Sequence, residues 1–315
     1  MLVKSFGAWL AGCRGLRIAA RPLLLLLLLT ACDDEVTSQY APDYAVNSAV
    51  QSELLIFGVH PLHNPATLYD VYGPLMSYLT ARLGGPRMRL EASRNYADFE
   101  RKLADRRFHF ALPNPYQTLL SLRYGYRVFG KMGDDDQFRG IFLVRKDHTL
   151  ASPKTLRGKS VSYPAPTALA ATMMPQAFLQ EHGIDVMREV DNRYVGSQES
   201  SILNVYYGKV DAGATWPPPW RKFQMDEPDK ANQLVVLWQT ETLPNNGLVV
   251  RDDVPVPLTR AVESLLLTLH ESEEGRALLQ QIPLSRFESA DEDTYASTRA
   301  FLKRFSETVR PIEVP

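Results

Sequence analysis

From Leu54 onward the chain alternates between short apolar runs and longer stretches whose apolar residues recur at helical spacing. Leu54-Leu55-Ile56-Phe57-Gly58-Val59 is continuously apolar, as in a strand buried on both faces. Residues 66–83 carry Leu68, Tyr72, Leu75, Met76 and Leu79 on one helical stripe, which Gly84-Gly85-Pro86 brings to an end. The same reading predicts a strand over 88–92, a helix over 96–105, a strand over 108–112, and a helix over 115–124 that stops at Gly125. Strand–helix alternation with short links implies parallel strands joined by right-handed crossovers. Ligands of such sheets bind beyond the carboxyl ends of the strands, here the loops 60–65, 93–95 and 113–115.

The pattern then breaks and resumes. Residues 140–145 read as a strand, 147–154 as polar with Pro153, and a second α/β unit follows. Its strands are predicted over 160–163, 188–195, 210–215, 234–239 and 248–251, with helices over 168–182 and 199–207. Helices over 257–270, 273–281 and 291–305 form a tail. The expected fold class is α/β, with two lobes, a ligand cleft between them and a C-terminal helical tail. Lobe one is expected to comprise 53–147 and 241–315, and lobe two 148–240. Such a cleft suits capture of a small solute by hinge closure.

Composition changes this picture mainly at the start of the chain. Lys4, Arg14, Arg17 and Arg21 precede seven consecutive leucines at 23–29, and Leu29-Thr30-Ala31-Cys32 then opens onto Asp33-Asp34-Glu35. A basic segment, an apolar run too short to span a bilayer and small residues before a cleavage point read as a secretory signal over 1–31. An uncleaved N-terminal anchor is the alternative. A cysteine directly after those small residues resembles the bacterial lipobox, which implies lipid on Cys32 and a tether over 32–52. Without residues 1–31 the chain has 31 basic and 36 acidic side chains, a formal charge of −5, and no cysteine besides Cys32. A mildly acidic body argues against nucleic acid as a partner. Cysteine nucleophiles, cysteine metal sites and disulfides are excluded.

Several short stretches, taken in order, resemble the phosphonate-binding family of periplasmic solute-binding proteins. They are Leu55 to Pro61, Tyr72-Gly73-Pro74-Leu75, Tyr78-Leu79, Tyr96, and the turn running from Phe108 to Pro115. Val144-Arg145-Lys146-Asp147, Leu156-Arg157-Gly158-Lys159-Ser160-Val161 and Gly183-Ile184-Asp185 follow. Gly196-Ser197-Gln198-Glu199, then Gly208 to Ala214, then Thr240 and Pro244, complete the set. The resemblance implies a type-2 two-lobed fold, service to an ABC permease, no cofactor and no catalysis. In the family a Ser-Thr-Ser-Gly stretch at the first helix of lobe two holds the anion with hydroxyls, backbone N–H groups and the helix dipole. Aligned on Pro175, this chain has Ala168-Leu169-Ala170-Ala171 there, with Thr167 left to cap the helix. The family's Gly-Ser-His becomes Gly196-Ser197-Gln198, its first-lobe tyrosine is Tyr96, and a second tyrosine falls at Pro113-Asn114. Acidic positions that take an amino group fall near 216–220 and at Asn245-Asn246, without a carboxylate at either.

The expected ligand residues are therefore His60, at the end of strand one, Tyr96, Asn114, Thr167, Ala168, Gln198, Trp216 and Asn245, with Tyr116, Tyr163 and Trp220 as flat aromatic walls. A site without the family's hydroxyls and imidazole suits a less charged, more aromatic or cationic solute better than a phosphonate dianion. His60 and His63, three apart, and His109 lack the spacing of a complete metal site, so no metal is expected. Asp134-Asp135-Asp136 reads as a solvated turn, and Trp216-Pro217-Pro218-Pro219-Trp220 as a stiff extended segment. Ser197 and Ser200 have no nucleophile elbow around them, which leaves a hydrolase as the reading from a different class. A lipoprotein that passes a ligand-closed state to a membrane signalling partner is the other alternative. Asp33 after Cys32 resembles an inner-membrane retention signal, placing the expected location at the periplasmic face of the inner membrane.

Overall fold

The computed structural model describes residues 53–148 and 150–315. The expectations for the signal, the tether and Cys32 lie outside them. The first lobe opens as anticipated, with β1 (Leu54–Val59), α1 (Pro65–Leu83), β2 (Arg87–Glu91), α2 (Tyr96–Ala104), β3 (Phe110–Leu112) and α3 (Pro115–Leu122). β1 lies between β2 and β3, parallel to both. Each helix begins at a sequence-coded cap. The side chains of Asn64, Asn95 and Asn114 accept from the N–H three residues on, and Pro65 and Pro115 occupy first-turn positions that need no donor. Asn114 and Gln117 form a reciprocal capping box.

The stretch after α3 is a strand, β4 (Tyr126–Met132), that the hydrophobic pattern did not single out because Arg127 and Lys131 interrupt it. Lys131 is buried, its ammonium held by Asp135 at 2.9 Å and Glu288 at 2.7 Å, so its charge is compatible with a strand interior. The next strand, β5 (Ile141–Arg145), corrects the lobe boundary. It pairs antiparallel with strands of the second sheet, so lobe two takes in residues 141–145, which had been expected in lobe one.

Lobe two continues with β6 (Ser160–Tyr163), a π-helical turn (Leu169–Met173) running into α4 (Met174–Glu181), α5 (Val186–Glu189), β7 (Asp191–Tyr194), α6 (Gln198–Tyr206) and β8 (Ala212–Thr215). α7 (Pro217–Asp226), α8 (Pro228–Ala231) and β9 (Leu234–Gln239) close it. α7 overturns the extended reading of the proline run. The three prolines fill the first turn, where N–H groups have no intrahelical partner, and the Trp220 N–H makes the first bond, to the Trp216 carbonyl, at 3.3 Å. The chain returns to lobe one with β10 (Gly247–Arg251), α9 (Val256–Leu267), α10 (Glu273–Gln281), β11 (Phe287–Glu288) and α11 (Ala296–Thr308).

Among the described residues there are two mixed sheets, ordered β11-β4-β10-β3-β1-β2 and β7-β6-β8-β5-β9. The two-lobed α/β architecture expected from the pattern is thus present. Two adjacent strands of chain cross between the lobes and bond to each other. Thr240 N–H donates to the Gly140 carbonyl, and Leu243 N–H to that of Phe138. The Asn245 N–H donates to Asp135, so the acidic run is built into this crossing. A Cβ on Gly140 would lie 2.5 Å from the Ala170 carbonyl oxygen, which explains glycine where the crossing packs on the π turn. The largest apolar cluster joins Phe57, Leu112 and Phe305 to Leu169, Met173 and Trp216, so the lobes share packed surface.

Candidate functional site

The carboxyl ends of the strands of both sheets face a cavity of about 10 Å³ between the lobes. β1 leads to His60, β3 to Asn114, β6 to the π turn, β7 to α6 and β8 to Trp216. His60, Tyr96, Asn114, Ala168, Gln198 and Trp216, singled out from the sequence, all line this space. Phe138, Leu169, Ala170, Ala171 and Asn246 line it as well. Of these, Ala170 and Ala171 belong to the π turn that opens the first helix of lobe two. Phe138 sits in the crossing segment and had no local signal.

Five expected residues lie elsewhere. Asn245 turns away, its amide donating to the Gly133 carbonyl at 2.7 Å, and Asn246 takes the inward place because neighbours entering a strand face opposite ways. Tyr163 is buried in the core of lobe two against Tyr194, and Tyr116 is buried in the core of lobe one. Burial pushes the Tyr163 hydroxyl far above its usual range and that of Tyr116 up to about 12. Thr167 does not cap the helix. Its carbonyl accepts from Asn114 Nδ2 across the lobes at 3.1 Å. Trp220 stacks on Phe223 in lobe two.

The π turn supplies backbone donors to the site. Its first internal bonds run from the N–H groups of Thr172 and Met173 to the Ala168 carbonyl, which leaves those of Leu169, Ala170 and Ala171 ahead of the ladder at the cavity. Gln198 spans the lobes: its Nε2 donates to Tyr96 Oη at 3.1 Å, and its Oε1 accepts from Thr215 Oγ1 at 2.8 Å. His60 Nδ1 faces the Leu112 carbonyl at 3.0 Å, which can only accept, so this nitrogen carries the proton. Burial lowers the ring's pKa to about 4, which leaves the imidazole neutral at physiological pH with Nε2 as an acceptor. Trp216 meets Phe138 edge-on at 5.4 Å and closes one side.

A second, larger cavity of about 240 Å³ adjoins Gln198 toward the solvent, walled by His63 and Asn64 from lobe one and by Glu199, Lys222 and Phe223 from lobe two. His60 and His63 thus face different cavities. Among the described residues no three His, Cys, Asp or Glu side chains are grouped to hold a metal ion. No helix among them is long and apolar enough to cross a membrane.

The family described as ABC transporter, phosphonate, periplasmic substrate-binding protein matches residues 57–295. The probable ABC transporter phosphite binding protein PhnD1 of Prochlorococcus marinus (strain MIT 9301) is 22% identical over 181 residues, 53% of this chain and 61% of that protein. The match therefore spans about three fifths of that relative's length. Among solved structures, a binding protein component of an ABC phosphonate transporter from Pseudomonas aeruginosa has a TM-score of 0.76 at 15% identity, covering 82% of this chain and 88% of its own. PhnD1 from Prochlorococcus marinus in complex with methylphosphonate has a TM-score of 0.74 at 17% identity, covering 81% and 99%. At such identities the likeness is one of fold.

Proposed function

Because this chain belongs to the periplasmic substrate-binding proteins of phosphonate ABC transporters, we propose that it is a lipid-anchored member that captures a small tetrahedral oxyacid between its lobes and delivers it to an ABC permease. Cys32 carries the lipid, the following residues form a tether, and the body works at the periplasmic face of the inner membrane. The tether keeps the capture lobes at high effective concentration near the permease. The observation that carries the capture reading is the convergence of His60, Tyr96, Asn114, Gln198, Trp216 and the π turn, from both lobes, on one cavity.

No Asp, Glu, Lys or Arg is among the residues that line this cavity. It stabilises an anion with neutral donors alone, so it disfavours a dianion, whose desolvation costs more than such donors return. The cavity holds about one water, so a solute head enters only as the Gln198–Tyr96 bridge parts, and its oxygens take over those donors.

The full chain, produced in a bacterium with lipoprotein processing, tests both halves. The native protein is expected in the membrane fraction, and Cys32→Ser in the soluble fraction. Methylphosphonate is expected to raise the unfolding free energy by about 2.7 kcal/mol at a hundredfold excess over Kd. A Cys32→Ser protein that stays with the membrane overturns the anchor. No stabilisation by methylphosphonate, phosphite or phosphate overturns the capture of an oxyacid.

A further inference from the structure

The inner cavity offers acceptors as well as donors. On the donor side stand the N–H groups at the π turn, with the Gln198 amide and the Tyr96 hydroxyl, both able to donate to the solute once their mutual bond parts. On the acceptor side stands His60 Nε2, left unprotonated because Nδ1–H is spent on the Leu112 carbonyl. Asn246 lines the same cavity. This residue is 0% exposed, its Oδ1 has no hydrogen-bond partner, and its Nδ2 meets only the Met132 sulfur at 3.4 Å. A fully deprotonated oxyanion has nothing to give these groups. It would press its lone pairs against theirs in a space without a cation.

We propose that the cavity takes its oxyacid singly ionised, with the remaining P–OH hydrogen donated to His60 Nε2 and the anionic oxygens held by the π-turn N–H groups, Tyr96 and Gln198. Asn246 Oδ1 is the second acceptor on that side. The imidazole is the stronger base of the two, and its tautomer is set by a backbone carbonyl, whereas an amide can turn end for end. This rests on the phosphonate-class reading above and adds the protonation state that the site selects.

The surroundings leave His60 free to act in this way. From α2 it faces Tyr96, with ring centroids 6.1 Å apart, and the apolar Phe99. From β3 it faces the Leu112 carbonyl, and His63 lies in its own loop with a pKa also lowered to about 4. Glu100, one turn along α2, accepts from Gln117 at 2.9 Å and is held above the usual carboxylate range by burial, and Glu199 accepts from Asn64 at the outer cavity. Lys222 also belongs to the outer cavity, paired with Asp226. His60 therefore stays a neutral acceptor above about pH 4, and the proton that titrates near neutrality is the ligand's own.

Calorimetric titration of the full-length protein with methylphosphonate, from about pH 6 to about pH 9, tests this. Affinity is expected to hold at the acid end and then to fall about tenfold per pH unit above the ligand's second ionisation, with uptake of about one proton per solute bound. Methanesulfonate has the same shape and a single charge but no hydrogen to donate. It is expected to bind at least about tenfold more weakly than methylphosphonate at about pH 6, with no pH dependence. His60→Asn keeps a donor for the Leu112 carbonyl and removes the Nε2 acceptor, and it is expected to cut the preference for phosphonate over sulfonate severalfold, Asn246 Oδ1 remaining as an acceptor. Methylphosphonate affinity that is constant or rises across the range overturns the inference and leaves the capture reading standing. Equal binding of sulfonate and phosphonate at the acid end does the same. Failure of both compounds, and of phosphite, to bind at any pH overturns the capture reading and this inference with it.

Discussion

Gln198 ties the two lobes together at the cavity. Its neutral amide is fixed at both ends, by Thr215 behind it and Tyr96 across the cleft. Thr215 does not line the cavity, yet it sets which end of the amide points inward. Thr215→Val should leave Gln198 Oε1 buried without a donor, at a cost of about 1–3 kcal/mol. Urea unfolding is expected to register that loss, and titration followed by Trp216 fluorescence a several-fold loss of ligand affinity. Unchanged affinity would mean that Gln198 is oriented by the ligand and not by Thr215. At this scale the sequence was readable where a residue stood next to a recognisable strand end, as with His60, Asn114 and Trp216. It misled where one step along the chain reverses the facing of a side chain, as between Asn245 and Asn246. Tyr163 shows the same limit: the last residue of β6 closes against the helices of its own lobe, and residue type alone could not say so.

At the scale of elements, helix starts do most of the positioning. α1, α3 and α6 begin at Asn64, Asn114 and Ser197, whose side chains cap them, so the loops carrying His60, Asn114 and Gln198 are held at defined points of the cleft edge. The first helix of lobe two lacks such a cap. It opens with a π turn instead, a widening that leaves three N–H groups ahead of the ladder beside the cavity. α7 begins on three prolines, whose fixed φ suits a first turn as well as it suits an extended segment, which is why composition alone favoured the wrong one. Pro217 is half-buried at the first helical position. Pro217→Ala is expected to keep the helix, by circular dichroism, and to lower stability by about 0.4–1 kcal/mol through the freer unfolded chain. Loss of helix signal would show that the prolines impose the turn and do not merely suit it.

Over the whole folded body, the crossing strands and the C-terminal segment link the lobes on separate paths. α11 packs in the main apolar cluster with lobe one, while Arg310 just beyond it reaches lobe two, donating to the Pro166 carbonyl at 2.6 Å and to Gln176 Oε1 at 3.1 Å. Arg123 holds the end of the chain to lobe one through Glu313 at 2.6 Å. The segment thus straps the lobes in their closed relation. Arg310→Ala is expected to shift the protein toward open forms, seen as a larger radius of gyration in solution scattering. It is also expected to weaken solute binding about tenfold, as loss of a charged hydrogen bond from the closed form alone implies. An unchanged radius and affinity would show that the shared apolar surface suffices without the strap.

The linear pattern determined the alternation of strands and helices, and with it two parallel-cored α/β units whose ligand must lie at the carboxyl ends of their strands. Hydrophobic periodicity and caps are local, and each can be read within a turn or two of chain. The tertiary structure decided what depends on contacts between distant residues. It assigned β5 to the second sheet through pairing with β8 and β9, made Lys131 a strand residue by bringing Glu288 to it, and chose Asn246 over its neighbour. It also set the balance of donors and acceptors in the cleft, because the tautomer of His60 and the unpaired oxygen of Asn246 follow from which carbonyl and which sulfur the fold lays beside them.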